Sequence, residues 1–113
     1  MTLITVCCWI SFVVIPGWCV ASDVNTRHFA GFFETNCVDC HGGDDAEASL
    51  NLETLEFMPQ ESNNRETWVT IYDRIKRGEM PPPDYGQPDS ARVVQFLDEL
   101  SDDLLSAERT RYA

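Results

Sequence analysis

Positive charge is scarce in this chain. Eight Lys and Arg stand against nineteen Asp and Glu in 113 residues, a formal net charge of −11. A surface of that sign repels nucleic acid and anionic lipid headgroups. It suits a partner with a basic face, or it serves solubility alone. Charge of either sign is absent from residues 1–22, MTLITVCCWISFVVIPGWCVAS. That composition is the apolar stretch of a signal peptide over residues 1–21, with Pro16-Gly17 breaking any helix near its end. Small residues at Cys19 and Ala21 fit cleavage after Ala21. The Lys or Arg that usually leads such a segment is missing too. About 20 apolar residues suffice to cross a bilayer, so an uncleaved anchor is the competing reading. Trp18 is too large beside Cys19 for a lipobox, which leaves lipidation a minor possibility. The chain is expected to be periplasmic or otherwise exported, and to meet a membrane only if the leader stays on.

Cysteine is equally sparse once the leader is gone. Cys7, Cys8 and Cys19 leave with it, and only Cys37 and Cys40 remain. A framework of scattered disulfides, common in small exported domains, is excluded; only Cys37 and Cys40 could pair. The mature part is one domain of about 90 residues, short enough to be marginally stable by itself. A large apolar cofactor would supply the missing core.

What is present is helical spacing. Asn25 or Thr26 can cap a helix over residues 27–36, where Phe29, Phe32 and Phe33 fall at i, i+3 and i+4 and Cys37 continues the face. Gly31 sits among these aromatics, where a missing side chain would let another helix approach. Residues 42–49 read as an acidic loop, and LNLETLEFM after it is too short to assign. Asn63 opens the next helix, with Glu66 completing a capping-box-like pair. Trp68, Ile71, Tyr72 and Ile75 form its apolar stripe, and Gly78 is placed as its C′ residue. Pro81, Pro82 and Pro83 exclude a helix interior or a central strand and hold Met80 in a stiff loop. A last helix starts at Asp89 or Ser90 and carries Val93, Phe96, Leu97, Leu100, Leu104 and Leu105 on the 3.6-residue period. The period is lost afterwards, and residues 108–113 are expected to fray. The fold expected is all-α, a domain over residues 22–107 whose long loops call for a bound group to order them.

Chemistry concentrates in NCVDCHG, residues 36–42. Thiol–disulfide exchange needs its Cys-x-x-Cys pair at a helix start after a strand, and here the pair follows a helix. A structural zinc site needs four ligands. Cys37 and Cys40 give two; His28 and His41 would have to complete the set, and His41 adjoins Cys40 too closely to turn into the same small tetrahedron. Covalent haem attachment needs what is there, since Cys-x-x-Cys-His is the c-type signature. Two thiols three positions apart on a turn can each add to one vinyl group of a porphyrin, and the following imidazole then meets the iron. Cys37 and Cys40 are the expected thioethers, His41 is the proximal ligand, and Gly42 leaves room beside the ring. The expected cofactor is one covalent haem c.

Met80, Met58 and His28 compete for the other face of the iron. Met80 is favoured: prolines fix its backbone, and it lies between two helices that could clasp the ring. Met58 sits close after His41 and reads more naturally as a core contact near Leu50, Leu52 and Leu55. With His41 and Met80 both on iron, no substrate can bind there; the centre only gains and loses an electron, and a thioether ligand raises its potential.

In these residues the chain resembles a class I cytochrome c domain, and more closely the planctomycete cytochrome c domain family. The matching stretches are FAGFFETNCVDCHG, SLNLETL, ETWVTIYDRIKRGEMPPP and the final amphipathic helix, about residues 29–105. CVDCHG and GEMPP are the specific parts. The resemblance implies three or more helices wrapped around one haem, with Cys37, Cys40 and His41 carrying it and Met80 as distal ligand. It implies an electron carrier and not an enzyme, with a redox partner that it does not name. Trp68 matches a family tryptophan, for which packing is favoured over haem contact. Such domains often stand at the front of larger secreted proteins, so a haem module of a larger enzyme is an alternative. Others are a gas-binding or sensor domain in which Met80 leaves the iron, and a haem-free binding module.

Overall fold

The computed structural model describes residues 27–113, and side chains from Phe29 onward. The leader, its cleavage point and the caps expected at Asn25 or Thr26 lie outside the described residues. Those described form four α-helices and one 3₁₀ turn, with no strand among them. The all-α expectation agrees with this.

Helix α1 (Arg27–Asn36) ends at the residue its spacing predicts, and its start coincides with the first described residue. Phe29, Phe32 and Phe33 are buried on its inner face. Gly31 is on the opposite, exposed side, with nothing within 4 Å of where a Cβ would stand. It therefore admits no close helix, contrary to the expectation from its aromatic neighbours. The chain continues through Cys37, whose N–H donates to the Phe33 carbonyl at 2.8 Å, into the single turn α2 (Val38–His41).

Helix α3 (Ser62–Lys76) has Glu61 as its N-cap, two residues before the expected Asn63, and no side chain closes the first turn. The Asn63–Glu66 box is not formed. Its neighbour Asn64 works on the preceding loop instead, accepting from the Met58 N–H and donating to the Glu56 carbonyl, both at 2.8 Å. The far end is a Schellman turn. Gly78 has φ of +70°, its N–H donates to the Ile75 carbonyl at 3.0 Å, and the Glu79 N–H reaches the Arg74 carbonyl at 2.9 Å.

Helix α4 (Ser90–Arg111) is capped by Asp89, whose carboxylate accepts from the Ala91 and Arg92 N–H groups at 3.0 and 3.1 Å. It runs past Leu105, the last apolar position of its period, through the segment where fraying was expected. A Glu108–Arg111 ion pair at 3.7 Å and the Arg111 guanidinium over the Tyr112 ring accompany this last turn.

The core is an aromatic cluster where α4 crosses α1 and α3. Phe96 stacks on Phe32 at 4.4 Å and meets Phe29 edge-on at 5.3 Å. Trp68 has no exposed surface and touches Phe29, Phe33 and Phe57 at centroid distances of 5.5, 5.9 and 5.1 Å. Each such pair contributes about 0.5–1.5 kcal/mol beyond area burial. The indole Nε1–H donates to the Glu56 carbonyl at 3.0 Å, which satisfies its one polar atom. LNLETLEFM is thus neither helix nor strand; it is a strap that buries Phe57 and is pinned by Trp68 and Asn64.

Candidate functional site

Beside this core lies a cleft of about 660 Å³, within the range of roughly 300–1,000 Å³ usual for cofactor sites. One wall is the turn α2 with the acidic loop that follows it. The other is α3 with the proline loop. Cys37, Cys40, His41 and Met80 all line it. Its apolar floor comes from Phe33, Leu50, Leu52, Ile71, Ile75 and Pro81. Three of these, Phe33, Ile71 and Ile75, also belong to the core, so the floor is rigidly backed.

The first wall places the thiols one turn apart. The Cys40 and His41 N–H groups both donate to the Cys37 carbonyl, at 3.2 and 2.9 Å. Both thiols are free and half-buried. Burial, reinforced by neighbouring Cys40, pushes the Cys37 thiol up to about 11, so it stays protonated at neutral pH. A redox dithiol needs the opposite, a thiol driven down toward the thiolate, and a strand before the pair; neither is present among the described residues. Zinc fares no better, because no group of three or more His, Cys, Asp or Glu converges among the described residues.

His41 Nδ1 lies 3.0 Å from the Glu47 carbonyl. A carbonyl can only accept, so Nδ1 carries the proton and Nε2 keeps its lone pair for a metal. The 3₁₀ turn Glu47–Ser49 presents that carbonyl, with Ala48 at φ 56° and Ser49 at φ 55°. Side chains other than glycine's rarely enter this region of backbone space. The rest of the loop is stitched down. The Leu52 N–H donates to the His41 carbonyl at 2.8 Å, Asn51 donates to the Gly43 carbonyl at 2.9 Å, and Glu53 accepts from the Gly43 N–H at 2.8 Å. Gly42 is needed on this side, away from the cleft: an added Cβ would stand 2.7 Å from both Val38 Cγ1 and the Val38 carbonyl. The room it leaves is taken by Val38 of α2, where the sequence suggested room for a ring.

The second wall is stiffened differently. Arg74 donates to Glu79 at 2.7 Å just before Met80, and the Gln87 amide reaches the Pro81 and Pro82 carbonyls at 3.3 and 3.2 Å. Tyr85 crosses to the first wall, donating to Asp39 at 2.8 Å; that bond and the nearby carboxylate hold its hydroxyl above its usual range. Met58 is not among the cleft-lining residues, and it is exposed while Phe57 takes the core position. It is therefore neither the ligand nor the core contact that its position suggested. The side chain of His28 lies outside the described residues. Trp68 packs in the core and does not line the cleft.

Residues 37–84 match the planctomycete cytochrome C family. The match opens on Cys37 and closes on Asp84, so it takes in both walls of the cleft. No curated protein and no solved structure matches the chain. The match supports a haem-binding electron carrier rather than an enzyme, and haem c as the group concerned. The donor set fits such a group: two free thiols for its edge, an imidazole with Nδ1 already engaged, a thioether and an apolar floor. Sequence spacing found those four residues. It missed Glu47, Asp39 and Tyr85, which act through a carbonyl direction and a long-range contact that no local pattern records.

Proposed function

We propose that this chain is an exported monohaem c-type cytochrome that passes single electrons between partner proteins. The observation that carries this reading is the commitment of His41 Nδ1 to the Glu47 carbonyl in a cleft also lined by Cys37, Cys40 and Met80. Haem, when bound, supplies the one-electron couple. Cys37 and Cys40 would hold it by thioether bonds, His41 would offer Nε2 to the iron, and Met80 would offer a soft, neutral sulfur that raises the potential. Phe33, Leu52, Ile71 and Ile75 would keep water from the group. The leader directs export, and the net charge of −11 steers a redox partner with a basic surface, at salt-dependent rates.

The test is production in a host with c-type maturation machinery, followed by intact mass and oxidised and reduced spectra. A gain of one haem mass and a low-spin spectrum with a weak methionine-to-iron band in the red are expected, the band disappearing in Met80→Ala. Unmodified thiols in a folded, colourless protein would overturn the reading. A high-spin resting spectrum with tight carbon monoxide binding would move it to a gas-binding domain.

A further inference from the structure

The Tyr85–Asp39 hydrogen bond spans 46 positions of chain, where the Trp68–Glu56 bond of the core spans 12. Its ends are specific places. Asp39 lies between the two cysteines on the attachment turn. Tyr85 ends the proline loop that begins at Met80, and its own N–H donates to the Pro82 carbonyl at 2.8 Å. Pro81, Pro82 and Pro83 leave the segment between Met80 and Tyr85 little freedom, because each fixes its φ. A force on Tyr85 is therefore felt at Met80. Both Asp39 and Tyr85 line the cleft, so the bond joins its two walls at the rim.

We propose that the Tyr85–Asp39 bond is a strap that holds the Met80 loop against the attachment turn, making Tyr85 a positioning residue for the distal ligand. This rests on the reading of His41 and Met80 as the axial pair. A bond from a hydroxyl to a carboxylate is charge-assisted, and here it closes the rim between the two segments. Without it, the methionine sulfur leaves the iron more often and an outside ligand enters faster.

The test compares wild-type holoprotein with Tyr85→Phe, which keeps the ring and deletes only the donor. Imidazole, which competes for the distal position, is mixed with each in stopped flow, and the methionine-to-iron band is recorded alongside intact mass. Tyr85→Phe is expected to admit imidazole about fivefold faster, the size a single hydrogen bond of this kind supports, with one haem still attached. Asp39→Ala is expected to do the same, and the double variant to add nothing further. Asp39→Asn retains an acceptor oxygen and is expected to stay within about twofold of wild type. An unchanged imidazole rate in Tyr85→Phe, with the methionine band intact, overturns the strap and leaves the haem reading standing. Failure of Tyr85→Phe to accumulate as folded holoprotein also counts against it, since a rim contact is not needed for the fold. A wild-type protein without haem or without the methionine band overturns both.

Discussion

The two walls of the cleft are built by different means. The attachment wall, from Cys37 to Glu53, is held by a web of backbone and side-chain hydrogen bonds around Gly42 and Gly43, most between residues ten or fewer positions apart. The methionine wall, from Gly78 to Tyr85, has a Schellman turn at one end, three prolines in the middle, exposed ion pairs and a single tie across the rim. One wall is rigid because many groups are satisfied together; the other is stiff because proline removes the alternatives. On the proposed reading, covalent attachment would need the first kind, since both thiols and an imidazole must be presented at fixed spacing. A ligand that would only have to stay on the iron could be held by the second.

This contrast is sharpest at Gly42. An added Cβ meets the Val38 side chain and a backbone oxygen at 2.7 Å, and the oxygen cannot move without disturbing α2. Gly42→Ala is expected to cost about 2 kcal/mol, which lowers the melting temperature of a domain this size by roughly 8–16 °C. The matching change just past the other wall, Gly86→Ala, meets nothing within 4 Å and should leave the melt where it is. Equal melting curves for the two variants would remove the difference between the walls.

Next in size is Glu53, whose carboxylate accepts the Gly43 N–H at 2.8 Å while its own N–H is held by Asn51 at 2.9 Å. Glu53→Ala leaves that N–H without its charged partner, and a cost of about 1 kcal/mol is expected in denaturant unfolding of the holoprotein. The residual web around His41 should keep the low-spin spectrum. A high-spin shift at neutral pH in this variant would mean that the wall is less redundant than its bond pattern implies.

How far these walls could be read from the sequence follows from the physics of each. CVDCH was legible as a unit because its spacing sets both thiols and the imidazole on one turn facing one cleft, and Phe29, Trp68 and Phe96 were legible because a buried helix face repeats every 3.6 residues. Gly78 was legible because a helix end in a left-handed turn selects glycine. Ala48 and Ser49 adopt the same kind of backbone with no glycine to announce it, so the carbonyl that orients His41 left no mark. Asn63 and Asn64 are equally good caps by composition; a two-residue shift of the α3 cap made one a cleft residue and the other a loop clasp. The Tyr85–Asp39 contact depends on where two distant loops arrive together, which local pattern cannot supply.

The smallest effect belongs to Glu79, the residue before the methionine. Its carboxylate is 2.7 Å from Arg74 and 3.8 Å from Arg77, which look like strong contacts by distance alone. The side chains are 56% and 60% exposed on the arginines and 39% on Glu79, so water and salt screen the attraction. Glu79→Gln is expected to cost no more than about 0.5 kcal/mol, because the turn is already closed by backbone bonds at Gly78 and Glu79. The measurement is the denaturation midpoint of the holoprotein at low and high salt, with the methionine-to-iron band followed in parallel. A loss exceeding that of Glu53→Ala, or a band that weakens with salt, would show that charge and not proline holds the methionine wall.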